Sequence, residues 1–136
     1  MTYDPTYDVA AVSDGEQGLV FLYDVSGNLL TKFGAPRNGT GNRLSAGHLV
    51  YPSGLSWSSH GRLVVADEVQ KKVVVFDLRN LTAETLLSAD DGLNRPVAVA
   101  TDFRDSRNRI YAAEEVYDFE VNKFCLKMFE QRSTAY

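Results

Sequence analysis

The adjacent carboxylate pairs Asp67–Glu68 and Glu114–Glu115, the histidines His48 and His60, and Cys125 are the residues whose types could do acid–base, metal or thiol chemistry. A carboxylate pair acts as acid and base, or holds a metal, when both groups converge in a cleft. Neighbouring residues on a strand point to opposite faces, so each of these pairs is expected to diverge. Asp14, Asp67 and Glu114 also recur at equivalent strand ends, where a carboxylate can accept hydrogen bonds from turn N–H groups and hold a corner. Recurrence at every corner favours scaffold over site.

The remaining chemistry is thin. Cys125 is the lone cysteine, so it can form no internal disulfide and cannot complete a structural zinc site; it reads as a packed strand residue. Neither a GxSxG elbow nor a GxxxxGK[ST] phosphate loop occurs, and "RNGTGNR" reads as a flexible linker with no helix after it. Of the two N-x-[ST] triplets, at Asn38 and Asn80, about one would arise by chance, and with no leader beside them neither is taken as a glycosylation site. Neither a cofactor nor a metal is expected.

The chain has 136 residues, enough for one domain with a core, and its 44% apolar and 24% charged content is that of a globular protein. A net charge of −4 argues against broad binding to a phosphate backbone. Its N-terminus lacks a basic, then apolar, leader, and no segment reaches the roughly 20 apolar residues a membrane helix needs. The expectation is a cytoplasmic protein without a membrane association.

The elements that position these residues come from an internal repeat. A shift of 53 places Val12, Asp14, Gln17, Val20 and Asp24 on Val65, Asp67, Gln70, Val73 and Asp77 without a gap. A shift of 47 places Arg62, Ala66, Glu68 and Val69 on Arg109, Ala113, Glu115 and Val116, with Asp67 on Glu114. Pro52 and Pro96 lead corresponding segments 44 residues apart. Each unit holds apolar, β-branched runs of five to seven residues bounded by Gly, Asn, Asp or Ser, and no window has the spacing of a long amphipathic helix. In the middle unit, about 52–88, strands a, b, c and d fall at about 53–58, 61–67, 71–77 and 80–87. The first unit, about 7–34, supplies b, c and d; the third, about 96–130, supplies a, b and c. Residues 117–122, "YDFEVN", read as an insertion in the third b–c corner. Four short strands per repeat of this length predict a propeller blade.

"YPSGLSWSSHGRLVVADEVQKKVVVFDL", preceded by "GNLLTKFGAPRNGTGNRLSAGHL", resembles an NHL repeat, the unit of the propellers of TRIM-NHL and Brat-like proteins. The matching residues are Pro52, Gly54, Gly61, Val65, Ala66, Asp67, Val75, Phe76 and Asp77, with Gly27, Phe33 and Gly34 in the first unit. The resemblance implies an all-β fold: a β-propeller segment of four-stranded antiparallel NHL-type blades, about two and a half of them, in an incomplete ring. Members of the family usually close a ring of about six blades, so the unpaired edges here are expected to meet another chain, a second copy or missing blades of a longer product.

Function is then expected on the rim shared by the d–a and b–c connections. There the sequence places Arg37, Arg43, His48, Tyr51, Lys71, Lys72, Arg95, Tyr117 and Lys123 as candidate binding residues. Basic and aromatic groups together can grip a phosphate backbone and stack bases, and some TRIM-NHL propellers bind RNA on this face. Glu16, Glu68, Asp90, Asp91, Glu115, Asp118 and Glu120 share the rim and nearly cancel its charge, which favours a protein or peptide partner, with single-stranded RNA as the alternative. A propeller lyase or esterase ranks third: related lyases use a histidine-bound metal, whereas His48 and His60 fall on connections at opposite ends of a blade. Trp57, on an innermost strand, is expected to be blade packing.

Overall fold

The computed structural model describes residues 1–34, 48–58, 61–102, 108–118 and 121–130, the last two stretches by backbone alone at 117–118 and 121–123. The described chain is all-β, in three antiparallel sheets. Sheet 1 holds β1 (Thr2–Asp4), β2 (Val9–Asp14), β3 (Leu19–Asp24) and β4 (Leu29–Gly34) in sequential order. Sheet 2 holds β5 (Pro52–Trp57), β6 (Arg62–Asp67), β7 (Lys72–Asp77) and β8 (Thr82–Leu87), again in order. Sheet 3 holds β9 (Pro96–Asp102), β10 (Arg109–Asp118) and β11 (Val121–Glu130). These are blade-like meanders in series, and they do not close a ring. No helix among the described residues is long and apolar enough to cross a membrane.

One element differs from the sequence expectation and another refines it. The first unit was expected to begin at its second strand, yet Thr2–Asp4 pairs with Val9–Ala11 and gives sheet 1 a fourth strand. At three residues with a polar turn behind it, β1 is too short to show a period-2 pattern. The third corner was expected to carry an insertion at 117–122. The register shows these six extra residues: Glu114 stands opposite Cys125, eleven residues on, where the equivalent Asp67 stands opposite Lys72, five on. They lengthen the hairpin rather than the turn, with Val116 opposite Lys123, Tyr117 opposite Asn122 and Asp118 opposite Val121.

The sheets pack face to face, and the middle one is covered twice. Leu63 and Val65 of β6 with Val74 and Phe76 of β7 meet Ala11, Val20 and Leu22 of sheet 1. Val64, Ala66, Val73 and Val75 face the other way, onto Val99, Ile110 and Ala112 of sheet 3. A strand buried on both faces has no position left for a polar side chain, which is why β6 and β7 read as unbroken apolar runs. Trp57 and Phe33 complete the first seam, where the Phe33 and Phe76 rings lie 4.1 Å apart.

Innermost strands β5 and β9 lie side by side in the second seam. Ser53 Oγ donates to the Pro96 carbonyl at 3.2 Å, the Ser56 and Thr101 hydroxyls are 3.1 Å apart, and Thr101 Oγ1 donates to the Trp57 carbonyl. Gly54 permits this approach: a Cβ there would stand 2.7 Å from Ala98 Cα and 2.8 Å from Val99 N.

The a–b and c–d turns form the opposite rim, tied by Asp77. Its carboxylate accepts from Arg79 N at 3.0 Å and from the Arg79 guanidinium at 3.1 and 3.2 Å, with Arg62 Nε at 3.3 Å. The bonded Arg79, with Arg62 beside it, holds the Asp77 pKa at about 2, below the usual carboxylate value. A depressed pKa contributes stability that is complete above about pH 4 and is lost as pH falls through about 2. Asp77→Asn is therefore expected to cost about 1–2 kcal/mol at neutral pH, solvent screening at half-exposed Arg79 included, and to flatten the acid limb of stability. Urea unfolding between about pH 7 and pH 2 measures both.

Candidate functional site

The b–c corners and the d–a connections meet on one rim, and buried carboxylates join them. Asp67, at the end of β6, is fully buried. Its Oδ1 accepts from the corner amides of Val69 at 3.2 Å and Gln70 at 3.0 Å, which is the turn-holding role its position implies. It also accepts from the connection that enters β5: Val50 N donates to Oδ2 at 2.8 Å and Tyr51 N to Oδ1 at 3.2 Å. One side chain thus satisfies four backbone donors from two loops.

Glu114, likewise buried, repeats the second half of that role in sheet 3. Its Oε2 accepts from Asn94 N at 2.7 Å and Arg95 N at 3.1 Å, just before β9. Because β10 runs on past it there is no corner to hold, and the longer glutamate serves the connection. Lys127 Nζ lies 2.9 Å from Oε1 and donates to the Gly92 carbonyl at 2.7 Å, so the buried charge has a counter-ion. In sheet 1 the partly buried Asp14 accepts from Gln17 N at 3.0 Å and from the Gln17 amide at 2.9 Å. All three recurring carboxylates are consumed by backbone or corner.

The neighbouring acids diverge from them, Glu115 by strand alternation in β10 and Glu68 as the first turn residue after β6. Glu68 accepts from Arg95 Nε at 2.6 Å, across the seam between sheets 2 and 3, and Glu115 Oε2 lies 3.4 Å from Arg95 Nη1. Arg95 is thereby a clamp between two sheets.

The other candidate residues separate in the same manner. The His48 carbonyl accepts from Gln70 Nε2 and from Lys72 Nζ, each at 3.0 Å. Lys72 is half-buried, which pushes its pKa down, while the Asp67 carboxylate opposes the shift. The Tyr51 ring lies over the first b–c corner, where a Cβ on Gly15 would be 2.6 Å from it. Lys71 is exposed and holds left-handed backbone at φ 55°, the place taken by Gly18 at φ 70° in the first repeat. Tyr117 and Lys123 lie on the extended β10–β11 hairpin and not in a turn. Arg37, Arg43 and the turn residue His60 lie outside the described residues.

Sequence reasoning missed Val50 and Val69. Both are exposed on this rim, Val69 at 58%, beside partly exposed Tyr51. A valine inside the turn "EVQK" is a signal that could have been read, since turns favour polar residues and an apolar one there has no local role. Among the described residues no three His, Cys, Asp or Glu side chains group as metal ligands. Among the described residues the rim presents exposed apolar side chains beside paired charged groups.

The class defined by this fold is an all-β chain of blade-like sheets with a loop-built rim. Neither a scan of protein-family models nor a search of curated proteins finds a match for the chain.

Proposed function

We propose that this chain is a non-enzymatic interaction module, an NHL-type propeller segment whose d–a and b–c rim binds a protein or peptide. The observation that carries the reading is the pairing of exposed Val50, Tyr51 and Val69 with cations already engaged within the fold. Arg95 is held by Glu68 and Lys72 by the His48 carbonyl, which leaves Lys71 as the exposed cation without such a tie among the candidates whose side chains are described. Phosphate-backbone binding draws its strength from several free Lys and Arg at once. A peptide gains more here, from apolar contacts at the valines and a single charge at Lys71. The close approach at Gly54 and the carboxylate seam at Asp67 give physical roles to two residues of the NHL-like motif, which supports that reading of the blades.

Selection of a displayed random-peptide library on the purified chain tests this, followed by titration of the winning peptides and of a single-stranded RNA 12-mer at low and physiological salt. Peptides are expected to bind at least about 10-fold more weakly to the Val69→Ser, Lys71→Glu variant, with its melting temperature unchanged. RNA affinity that is tight at low salt, falls steeply as salt rises and is lost in the same variant would replace the protein partner with RNA.

A further inference from the structure

The two ends of the stack expose faces of the kind that the inner seams bury. On sheet 3, register places Phe124, Leu126 and Met128 of β11 opposite Glu115, Ala113 and Tyr111, on the face away from sheet 2. Phe124 is 71%, Leu126 70% and Met128 52% exposed. Exposed large apolar residues at i, i+2 and i+4 on one sheet face mark an interaction surface. On sheet 1, the face away from sheet 2 carries Tyr3, Phe21, Tyr23 and Leu29, with the Phe21 and Tyr23 rings 6.4 Å apart.

Which surface fits which is set by the inner seams. In each of them the forward face of one sheet meets the backward face of the next, so the forward face of sheet 3 calls for a backward face like that of sheet 1. A second copy offers that face, and needs in return the one that sheet 3 of the first copy provides. Ala98 and Ala100 are exposed on β9 toward this opening, small enough to let another innermost strand approach as β9 approaches Gly54. The count agrees. Propellers close with about four to eight blades; the described residues of one copy form three sheets, so three copies would bring nine and two bring six.

We propose that a second copy of this chain covers both open faces, sheet 3 of each copy packing on sheet 1 of the other, to close a ring of six sheets. This holds whatever the rim binds. The contact is heterologous, made twice, and closes on itself.

Sedimentation velocity of the full chain from about 1 to 100 μM tests it. A single copy weighs 15.1 kDa, so a limiting mass of about 30 kDa that rises no further is expected. Phe21→Lys on one face and Leu126→Glu on the other are each expected to weaken association at least about 100-fold, by placing an uncompensated charge in the seam. Circular dichroism should show the strand content intact. Mixing the two variants faces lysine with glutamate across one seam and is expected to restore a dimer. A monomer at 100 μM overturns the proposal, as does a dimer indifferent to Phe21→Lys, which would mean sheet 3 pairs with itself. A mass that keeps climbing with concentration overturns it too, since the contact would then form open chains.

Discussion

Asp67→Ala is expected to lower the free energy of unfolding by about 3–5 kcal/mol, a large effect for one side chain. The carboxylate is fully buried and accepts from Val50, Tyr51, Val69 and Gln70 amides at 2.8–3.2 Å. Alanine leaves those donors without their acceptor and frees the Val50–Tyr51 connection from β6. Each buried donor left unsatisfied costs about 1–3 kcal/mol, but solvent reaches part of the rim and recovers some of the loss. Asp67→Asn keeps one carbonyl oxygen, so its cost should be about half. Chemical denaturation of both variants measures the difference, and equal effects would mean the charge rather than the acceptor geometry matters.

Gly54→Ala is the second large effect, at about 2–3 kcal/mol. The added methyl would meet backbone atoms of Ala98 and Val99 at 2.7–2.9 Å, and a backbone in a paired strand cannot swing aside as a side-chain tip can. Sheets 2 and 3 must separate, loosening Val64, Ala66, Val99 and Ile110 together with the hydroxyl contacts of Ser53 and Ser56. Thermal unfolding of Gly54→Ala beside Gly27→Ala separates this steric cause from backbone preference. Gly27 has a φ of 84° and nothing near its absent Cβ, so its alanine variant pays for the left-handed backbone alone, about 1 kcal/mol.

The strands were legible because their signal is local. Apolar runs between turn residues mark β2 to β11, and the shift of 53 aligns β2–β3 with β6–β7 corner for corner. The role of Asp67 was half legible. Its bonds to Val69 and Gln70 lie within the turn, but those to Val50 and Tyr51 span 17 and 16 residues, beyond what a corner motif encodes. The rim itself was legible from strand order, whereas the state of its cations was not. Lys72 and Arg95 look free in sequence, and only the approach of 48 to 72 and of 68 to 95 reveals them as fasteners. Charge counting found a neutral rim but could not say which charges neutralise which.

The central claim is that buried Asp67 is a seam between strand b and the incoming connection. Backbone amide hydrogen exchange tests it most directly. Val50 and Tyr51 have exposed side chains and lie outside any strand, yet their amides donate to buried Asp67. They should therefore exchange as slowly as strand amides, and protection should collapse at these two positions in Asp67→Ala, and fall only in part in Asp67→Asn, while β6 and β7 keep theirs. Exchange of Val50 and Tyr51 at open-loop rates in the unmodified chain would contradict the account.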